Sequence, residues 1–282
     1  MNCMLADQTS VPVLGQGTWY LGENPGTRKA EQHALCTGIE AGMTLLDTAE
    51  MYGDGQAESL LGEVLPHYTR SDLFLVSKVY PHNAGRGHIF TSCENSLRRM
   101  HTDYLDLYLL HWRGSIPLAE TIECMEELVR QGKIRRWGVS NFDIDDMQEL
   151  WSVPNGAHCM VNQVLYHVAS RGIEYDLLPW MRSHQVTLMA YCPLAQAGRL
   201  QRGLWSHPLL TELAAKRHVT VPQLLLAWAV RDGHTIAIPR TGKARHTLEN
   251  SAAASLRLSP EELARIDQAF PAPISHEPLD MQ

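Results

Sequence analysis

Short apolar runs that end in ionisable residues recur along the first part of the chain. Three of them end in Asp47, Lys78 and His111, and Tyr52 follows the first within a few residues. The runs are too short for helices and match strands of a parallel sheet, which are buried on both faces. In α/β barrels the carboxyl ends of the strands carry the chemistry. We therefore expect these four side chains to converge on one site.

Segments with helical spacing of apolar residues alternate with these runs. Leu35, Ile39 and Met43, for example, recur at the i, i+4, i+8 positions of one helix face. Helices are predicted at residues 28–42, 57–65, 91–100, 119–131, 145–151, 176–184, 208–218, 222–231, 245–253 and 260–270. Strands are predicted near Gly17 and at residues 44–47, 73–79, 105–112, 135–141, 161–167, 186–194 and 235–242.

The alternation predicts an α/β protein with about eight β-then-α units, the number that closes a (β/α)8 TIM barrel. Extra helices are expected before and after the last strand. No Pro- or Gly-rich linker divides residues 1–282, so a single domain is expected. An open, doubly wound sheet is the weaker alternative, because Gly15, Gly17 and Gly22 do not have the G-x-G-x-x-G spacing of a dinucleotide-binding turn.

The composition and charge of the chain argue against several classes of protein. With 44% hydrophobic and 20% charged residues the chain has an ordinary globular composition, and no apolar run approaches the roughly 20 residues of a membrane span. The start of the chain has no signal-peptide pattern, so a cytoplasmic location is expected. A net charge of −7 gives no reason to expect nucleic-acid binding. The six cysteines lack C-x-x-C spacing, so neither a metal site nor a disulfide framework is expected.

The four converging residues suit carbonyl reduction. An ammonium close to a phenol favours the phenolate, so Lys78 is expected to lower the pKa of Tyr52 and make it a useful general acid. Asp47 is placed to keep Lys78 charged and oriented. His111 can hydrogen-bond a substrate oxygen that gains negative charge. Reduction by this set requires a separate source of hydride.

Two other interpretations of these residues remain open. Asp47 and Lys78 can be no more than a structural ion pair inside a barrel. A lysine at a barrel strand end can also be the nucleophile of a Schiff-base lyase or aldolase. The expected contact with Asp47 argues against the second interpretation, because it keeps the lysine charged.

The motifs DTAEMYG, LVSKV, LLHW, GVSNF, NQVLYH, AYCPLAQ and IPRTGK occur in the order seen in aldo-keto reductases, and the resemblance covers nearly the whole chain. The segments GQGTWYLG and RGIEYDLLPW most closely resemble a bacterial methylglyoxal-reducing branch. The resemblance implies a barrel that binds NADPH without a Rossmann domain, and a catalytic tetrad of Asp47, Tyr52, Lys78 and His111. It leaves open a non-catalytic, NADP-sensing subunit. A monomer or weak homo-oligomer is expected.

The resemblance also implies the cofactor contacts. Ser140, Asn141 and Gln163 match residues that hold the nicotinamide carboxamide, and Tyr191 matches the aromatic residue that stacks on its ring. The remaining matches are Gly17, Thr18 and Trp19 at the nicotinamide ribose, Cys192, Leu194 and Gln196 along the pyrophosphate, Arg240, Thr241 and His246 at the adenosine 2′-phosphate, and Glu249 and Asn250 at the adenine.

Two of these positions depart from the family pattern. Cys192 stands where serine is usual, and His246 stands where many members have arginine. A histidine is mostly neutral at pH 7, so the expected preference for NADPH depends more on Arg240, with Lys243 or Arg245 compensating.

The substrate is expected to be a small aldehyde or dicarbonyl such as methylglyoxal. A mouth of aromatic residues is expected to bind it, formed by Trp19, Tyr20, Tyr80 and Trp112. A C-terminal segment with few apolar residues predicts that this mouth is open.

Overall fold

A small antiparallel hairpin precedes the main sheet in the computed structural model, which describes residues 1–195 and 203–282. Strand β1 (Asn2–Met4) pairs with β2 (Ser10–Pro12). Arg136, at the amino end of the barrel, holds the hairpin loop by donating to Asp7 Oδ2 at 2.8 Å. The sequence pattern did not predict this hairpin. It lies at the face of the barrel that serves stability rather than chemistry.

The main sheet of the described chain has eight parallel strands in sequential order. They are β3 (Gln16–Gly17), β4 (Leu45–Asp47), β5 (Phe74–Val79), β6 (Leu107–Leu110), β7 (Trp137–Ser140), β8 (Val161–Leu165), β9 (Thr187–Tyr191) and β10 (Thr235–Ala237). Parallel bridges from Leu14 to Ala237 and from Gly17 to Arg240 join the first strand to the last. The sheet thus closes on itself, which confirms the predicted barrel.

Helices follow the strands around the outside of the barrel. They are α1 (Arg28–Glu40), α2 (Gln56–Val64), α3 (Ile89–Met100), α4 (Leu118–Arg130), α5 (Ile144–Ser152), α6 (Leu177–Ser183), α7 (Pro208–Lys216), α8 (Val221–Ala229), α9 (Ala244–Ala252) and α10 (Pro260–Ala269). The predicted apolar faces are buried: Leu35 and Ile39 of α1 pack into the core, as do Ile122 and Met125 of α4.

The predicted extra helices are present on both sides of the last strand. Helices α7 and α8 lie between β9 and β10, and α9 and α10 follow β10. Capping boxes start two of them, because Thr220 pairs with Gln223 at α8 and Ser259 pairs with Glu262 at α10. Such reciprocal bonds satisfy the backbone N–H groups at a helix start and fix where the helix begins.

Glycine is required at two positions near the first strand. A Cβ at Gly15 would lie 3.0 Å from the carbonyl oxygen of Leu45, on the neighbouring strand. Gly22 has φ +81°, and a Cβ there would lie 2.6 Å from the carbonyl oxygen of Gln56. Both glycines therefore serve close backbone approach. None of the helices in the two described stretches combines the length and apolar character needed to cross a bilayer.

Candidate active site

The four ionisable residues picked out by the sequence pattern meet at the carboxyl end of the barrel. Asp47 is the last residue of β4, Lys78 lies near the end of β5, and His111 follows β6 directly. Tyr52 begins the turn after β4. All four side chains are buried. The strand order brings β4, β5 and β6 side by side, which is why residues distant in sequence converge here.

Lys78 is held by four oxygen acceptors. Its Nζ donates to both carboxylate oxygens of Asp47 at 2.9 and 2.8 Å, to the carbonyl oxygen of Thr48 at 2.8 Å, and to the hydroxyl of Tyr52 at 3.1 Å. The side chain is 0% exposed, so these contacts replace the water that an ammonium group requires. Asp47, Tyr52 and Lys78 are called the reaction corner below.

The direction of the lysine–tyrosine hydrogen bond matters for the chemistry. An ammonium group can only donate, so the oxygen of Tyr52 accepts from Lys78. The phenolic hydrogen of Tyr52 is not used in this bond. It remains available to an oxygen atom in the cavity above the reaction corner.

The pKa of Tyr52 differs from the sequence expectation. Burial raises the pKa of this phenol well above its ordinary value, and the nearby charge of Asp47 raises it further. The expected lowering by Lys78 is wrong for this structure, because burial, together with the charge of Asp47, outweighs the effect of the ammonium. The pKa of Lys78 is lowered by burial, against the opposing charges of Asp47 and Glu58. Tyr52 is consequently a protonated phenol at neutral pH, the form that can donate a proton.

His111 is a neutral imidazole beside Tyr52. The two ring centroids lie 5.7 Å apart in an edge-on arrangement. Burial lowers the pKa of His111 to about 2, and the charge of Lys78 acts in the same direction. Its Nδ1 is buried and has no hydrogen-bond partner among the described residues. This unsatisfied polar atom fits a site that receives a polar ligand.

A cavity opens above these residues. Trp19, Tyr20 and Trp112 line it, as the sequence predicted, and the rings of Trp19 and Tyr20 stack with their centroids 4.5 Å apart. Tyr80 is not among the lining residues. Its ring packs edge-on against Trp112, with the two ring centroids 5.8 Å apart. The predicted contact between Tyr80 and substrate stays a prediction; in this structure Tyr80 contacts Trp112, which lines the cavity.

One wall of the cavity carries the residues predicted to hold nicotinamide. Ser140, Asn141, Gln163 and Tyr191 all line it. The Tyr191 hydroxyl donates to Asn141 Oδ1 at 2.8 Å, and Gln163 Nε2 donates to Asp47 Oδ1 at 2.8 Å. Asn141 has φ +57°, a strained conformation that the surrounding structure imposes and that is common at ligand sites. The wall offers an aromatic ring and amide groups, the chemistry that suits a nicotinamide carboxamide.

The predicted ribose and pyrophosphate contacts divide into two groups. Gly17, Trp19 and Cys192 line the cavity, as does Arg240, which the resemblance placed at the adenosine 2′-phosphate. Thr18 is fully buried and donates to the carbonyl oxygen of Asp47 at 3.0 Å, so it supports β4. Leu194 is buried, and its carbonyl oxygen accepts from Trp205 Nε1 at 3.1 Å. The predicted contact at Gln196 lies outside the described residues.

The predicted adenosine contacts gather at the start of α9. Lys243 is the N-cap residue of α9 and makes no side-chain cap bond there. The first-turn N–H groups of a helix attract phosphate. Lys243, Arg245 and His246 are called the phosphate end below. Arg245 donates to Glu249 Oε1 at 2.8 Å and lies 3.1 Å from His246 Nε2.

Three other residues predicted for this part of the site lie beside the phosphate end. Thr241 precedes α9, and its hydroxyl accepts from the backbone N–H of Lys243 at 3.2 Å. Glu249 is half-buried, and Asn250 is buried. Thr241, Glu249 and Asn250 thus lie on α9 or just before it, with the phosphate end, whereas Arg240 lines the cavity.

Sequence reasoning missed two residues of this region. Gln282 lines the cavity beside Cys192. Glu58 of α2 is 0% exposed, accepts from Ser77 Oγ at 2.6 Å and adds negative charge near Lys78. A carboxylate inside the apolar pattern AESLLGEVL was a signal for Glu58. The sequence carries no local signal for Gln282.

Comparison with known proteins identifies the family. The profile of the Aldo/keto reductase family matches residues 13–270. Methylglyoxal reductase YeaE of Escherichia coli (strain K12) is 54% identical over 272 residues, which are 96% of this chain and 95% of that protein. Glyoxal reductase of Bacillus subtilis (strain 168) is 33% identical over 263 residues, covering 93% of this chain and 90% of that protein.

A solved structure is equally similar. The crystal structure of an aldo/keto reductase from Klebsiella pneumoniae in complex with NADP and acetate is 54% identical, with a TM-score of 0.97 and coverage of 100% of this chain and 99% of that one. The fold, the family profile and the full-length relatives agree with the resemblance first seen in the motifs. The chain belongs to the aldo/keto reductase family.

Proposed function

We propose that the protein is an NADPH-dependent oxidoreductase that reduces small aldehydes and dicarbonyls, such as methylglyoxal, to alcohols. One observation carries the proposal. The Nζ of Lys78 lies 3.1 Å from the hydroxyl of Tyr52 while Asp47 binds the same ammonium, and the corner they form faces an open cavity. This arrangement holds a protonated phenol where a carbonyl oxygen can enter.

The residues of the cavity fit the cofactor. Tyr191, Asn141, Ser140 and Gln163 would hold the nicotinamide, since they provide a ring to stack on and amide and hydroxyl groups for its carboxamide. Arg240 and Thr241, with the phosphate end, would hold the adenosine 2′-phosphate, because a guanidinium group can form bidentate hydrogen bonds with phosphate. Bound NADPH supplies a hydride to the carbonyl carbon.

Side chains of the protein supply the proton that the reduction requires. Tyr52 donates its phenolic hydrogen to the carbonyl oxygen and becomes a phenolate. The ammonium of Lys78 stabilises that phenolate, and Asp47 keeps the lysine charged. His111 donates a hydrogen bond to the same carbonyl oxygen and orients it. The phenolate regains a proton from solvent through the open cavity.

The proposed substrate class rests on the residues of the cavity and on the similar proteins. Trp19 and Trp112 provide apolar ring surfaces for a small neutral molecule. The two curated relatives described above are named as reductases of methylglyoxal and glyoxal, both small dicarbonyls. The same chemistry is therefore proposed for this chain.

The structure weighs against the Schiff-base alternative. A nucleophilic lysine must be deprotonated and must reach the substrate carbon. Lys78 is fully buried and its Nζ is committed to Asp47, Thr48 and Tyr52. The sensing-subunit alternative has no observation in its favour. Turnover by the purified protein alone would exclude that role.

Purified protein assayed with a panel of carbonyl compounds tests the proposal. We expect NADPH-dependent reduction of methylglyoxal, glyoxal and small aldehydes, with kcat/KM higher for NADPH than for NADH. Borohydride added together with each substrate should leave no adduct on Lys78. Absence of turnover with NADPH, or a trapped adduct on Lys78, would overturn the assignment.

The remaining properties are proposed on sequence grounds. We infer a cytoplasmic protein that exists as a monomer or weak homo-oligomer and does not bind nucleic acid, in keeping with its net charge of −7. Light scattering after size-exclusion chromatography tests the oligomeric state. A stable tetramer would contradict the inference.

A further inference from the structure

The chain that follows α10 runs back across the barrel to the cavity. These residues, 271–282, are called the tail below. The described tail contains neither helix nor strand, and most of its side chains are exposed. Its final residue, Gln282, nevertheless lines the same cavity as Tyr52 and His111. The tail thus contributes a residue to the wall of the open cavity, which the sequence did not predict.

One histidine anchors the tail to the barrel. His276 Nδ1 lies 2.8 Å from Asp176 Oδ2, and its Nε2 lies 4.0 Å from Asp143 Oδ2. Both aspartates are N-cap residues, of α6 and α5, and use their other oxygen to accept from a backbone N–H. Asp145 adds a third negative charge, and these carboxylates raise the pKa of His276, with the Asp176 hydrogen bond as the largest cause.

Further contacts continue from this anchor to the cavity. Asp280 accepts a hydrogen bond from Ser170 Oγ. Leu279 packs against the hydrophobic core. At the end, Cys192 Sγ donates to Gln282 Oε1 at 3.2 Å. These contacts place Gln282 in the cavity, and each of them can be broken without disturbing a helix or strand.

The end of the tail stands where the cofactor is proposed to bind. Tyr191 and Cys192 are the positions assigned to the nicotinamide ring and the pyrophosphate, and Gln282 lies at both in the cavity wall. On the basis of the proposed function, we propose that the tail is an autoinhibitory strap that competes with NADPH for this wall and leaves when the cofactor binds.

The charge of the strap favours such competition. The tail carries Glu277 and Asp280, and the charge of Asp280 acts on Tyr191 in the cavity wall. NADPH is a polyanion, so a closed acidic tail repels it. When only a fraction of the molecules has the open tail, the apparent Kd for the cofactor increases by the inverse of that fraction. Loosening the tail therefore strengthens cofactor binding.

Direct binding measurements test the strap. His276→Ala removes the anchor and Asp280→Ala removes the contact to Ser170. We expect each variant to lower the Kd for NADPH, measured by fluorescence titration without substrate, by about two- to tenfold, the range expected when the closed state holds about half to nine-tenths of the molecules. Ile274→Ala is the matched control, because that tail residue is 95% exposed.

The outcomes separate the strap from the proposed function. A Kd that is equal in the wild type, the variants and the control, or higher in the variants, overturns the strap alone. Failure of every protein to bind NADPH overturns the proposed function and the strap with it. Lower Kd in both variants and an unchanged control support the strap.

Hydrogen exchange provides a second readout on the unaltered chain. Saturation with NADPH should increase amide exchange of the peptide that contains residues 276–282, because the cofactor displaces the strap. Exchange across α4, on the outside of the barrel, should not change. Increased protection of the tail, or no change in its exchange, would show that the tail closes over the cofactor or is indifferent to it, and either result would overturn the proposal.

Discussion

The reaction corner and the phosphate end differ in how their positive charges are exposed to solvent. In the reaction corner the Lys78 ammonium is fully buried and bound by four oxygen atoms. At the phosphate end Lys243 and Arg245 are exposed to solvent. Charges are screened weakly in the interior and strongly at the surface. From this comparison we infer that the buried corner determines whether the proposed reaction proceeds, whereas the exposed end adjusts which cofactor is preferred.

The largest effect is expected from removing the buried cation. Lys78→Met takes away the ammonium that stabilises the phenolate, so kcat for methylglyoxal reduction should fall by about 10²–10⁴. It also leaves the Asp47 carboxylate buried without its partner, which should lower the free energy of unfolding by about 3–5 kcal/mol. Steady-state kinetics and guanidinium unfolding measure the two effects.

A double variant separates chemistry from stability in that experiment. Asp47→Asn combined with Lys78→Met removes both buried charges, so it should recover part of the lost stability while activity stays low. Wild-type activity in either protein would show that the buried pair is only structural.

The next largest effect concerns the second group at the carbonyl oxygen. His111→Phe keeps a ring of similar shape but removes the hydrogen-bond donor. Loss of one such donor typically lowers kcat by about 10²–10³, and the same loss is expected here. The Kd for NADPH should not change. A kcat within about threefold of the wild type would show that His111 does not act on the transition state.

A smaller effect is expected at the phosphate end. His246→Arg adds a permanent charge near the proposed 2′-phosphate, so the ratio of kcat/KM for NADPH to that for NADH should increase by about fivefold, the value of roughly 1 kcal/mol for an exposed ion pair. His67→Arg makes the same change at an exposed position in the turn that follows α2 and should leave the ratio unaltered. The gain should shrink with added salt. A ratio unchanged at low salt would place the phosphate elsewhere.

The smallest effect is expected from titration of His111. Burial lowers its folded-state pKa to about 2, so kcat/KM should show no histidine inflection between about pH 5 and 8. The free energy of unfolding, by contrast, should depend on pH in this range. The unfolded chain takes up a proton below the ordinary histidine pKa of 6.5 and the folded chain does not, so His111 contributes stability above that pH and loses it as the pH falls. An activity loss centred near pH 6.5 that is absent in His111→Phe would contradict this account.

The sequence predicted the part of the site that follows from strand ends. Asp47, Lys78 and His111 were foreseen because each closes a short apolar run, and consecutive parallel strands bring such ends together. The wall residues Ser140 and Tyr191 were predicted from the family resemblance, and the structure places them at the ends of β7 and β9.

Features that depend on side-chain packing could not be foreseen. The raised pKa of Tyr52 comes mainly from burial, which a local sequence pattern does not report. Tyr80 contacts Trp112 instead of lining the cavity, because the direction of a loop side chain is set by its neighbours in space. Gln282 reaches the cavity by contacts between residues that are far apart in the sequence, such as Asp176 with His276. The first hairpin lacks the turn signals that would have revealed it.

The proton donor is the central claim, and single-turnover kinetics test it most directly. Tyr52→Phe removes one oxygen atom, and Tyr108→Phe makes the same change at a buried tyrosine whose hydroxyl has no partner among the described residues. NADPH oxidation by methylglyoxal is followed by absorbance with enzyme in excess. We predict that Tyr52→Phe slows this step at least about a hundredfold with unchanged NADPH affinity, while Tyr108→Phe matches the wild type. Equal rates in all three proteins would contradict the account.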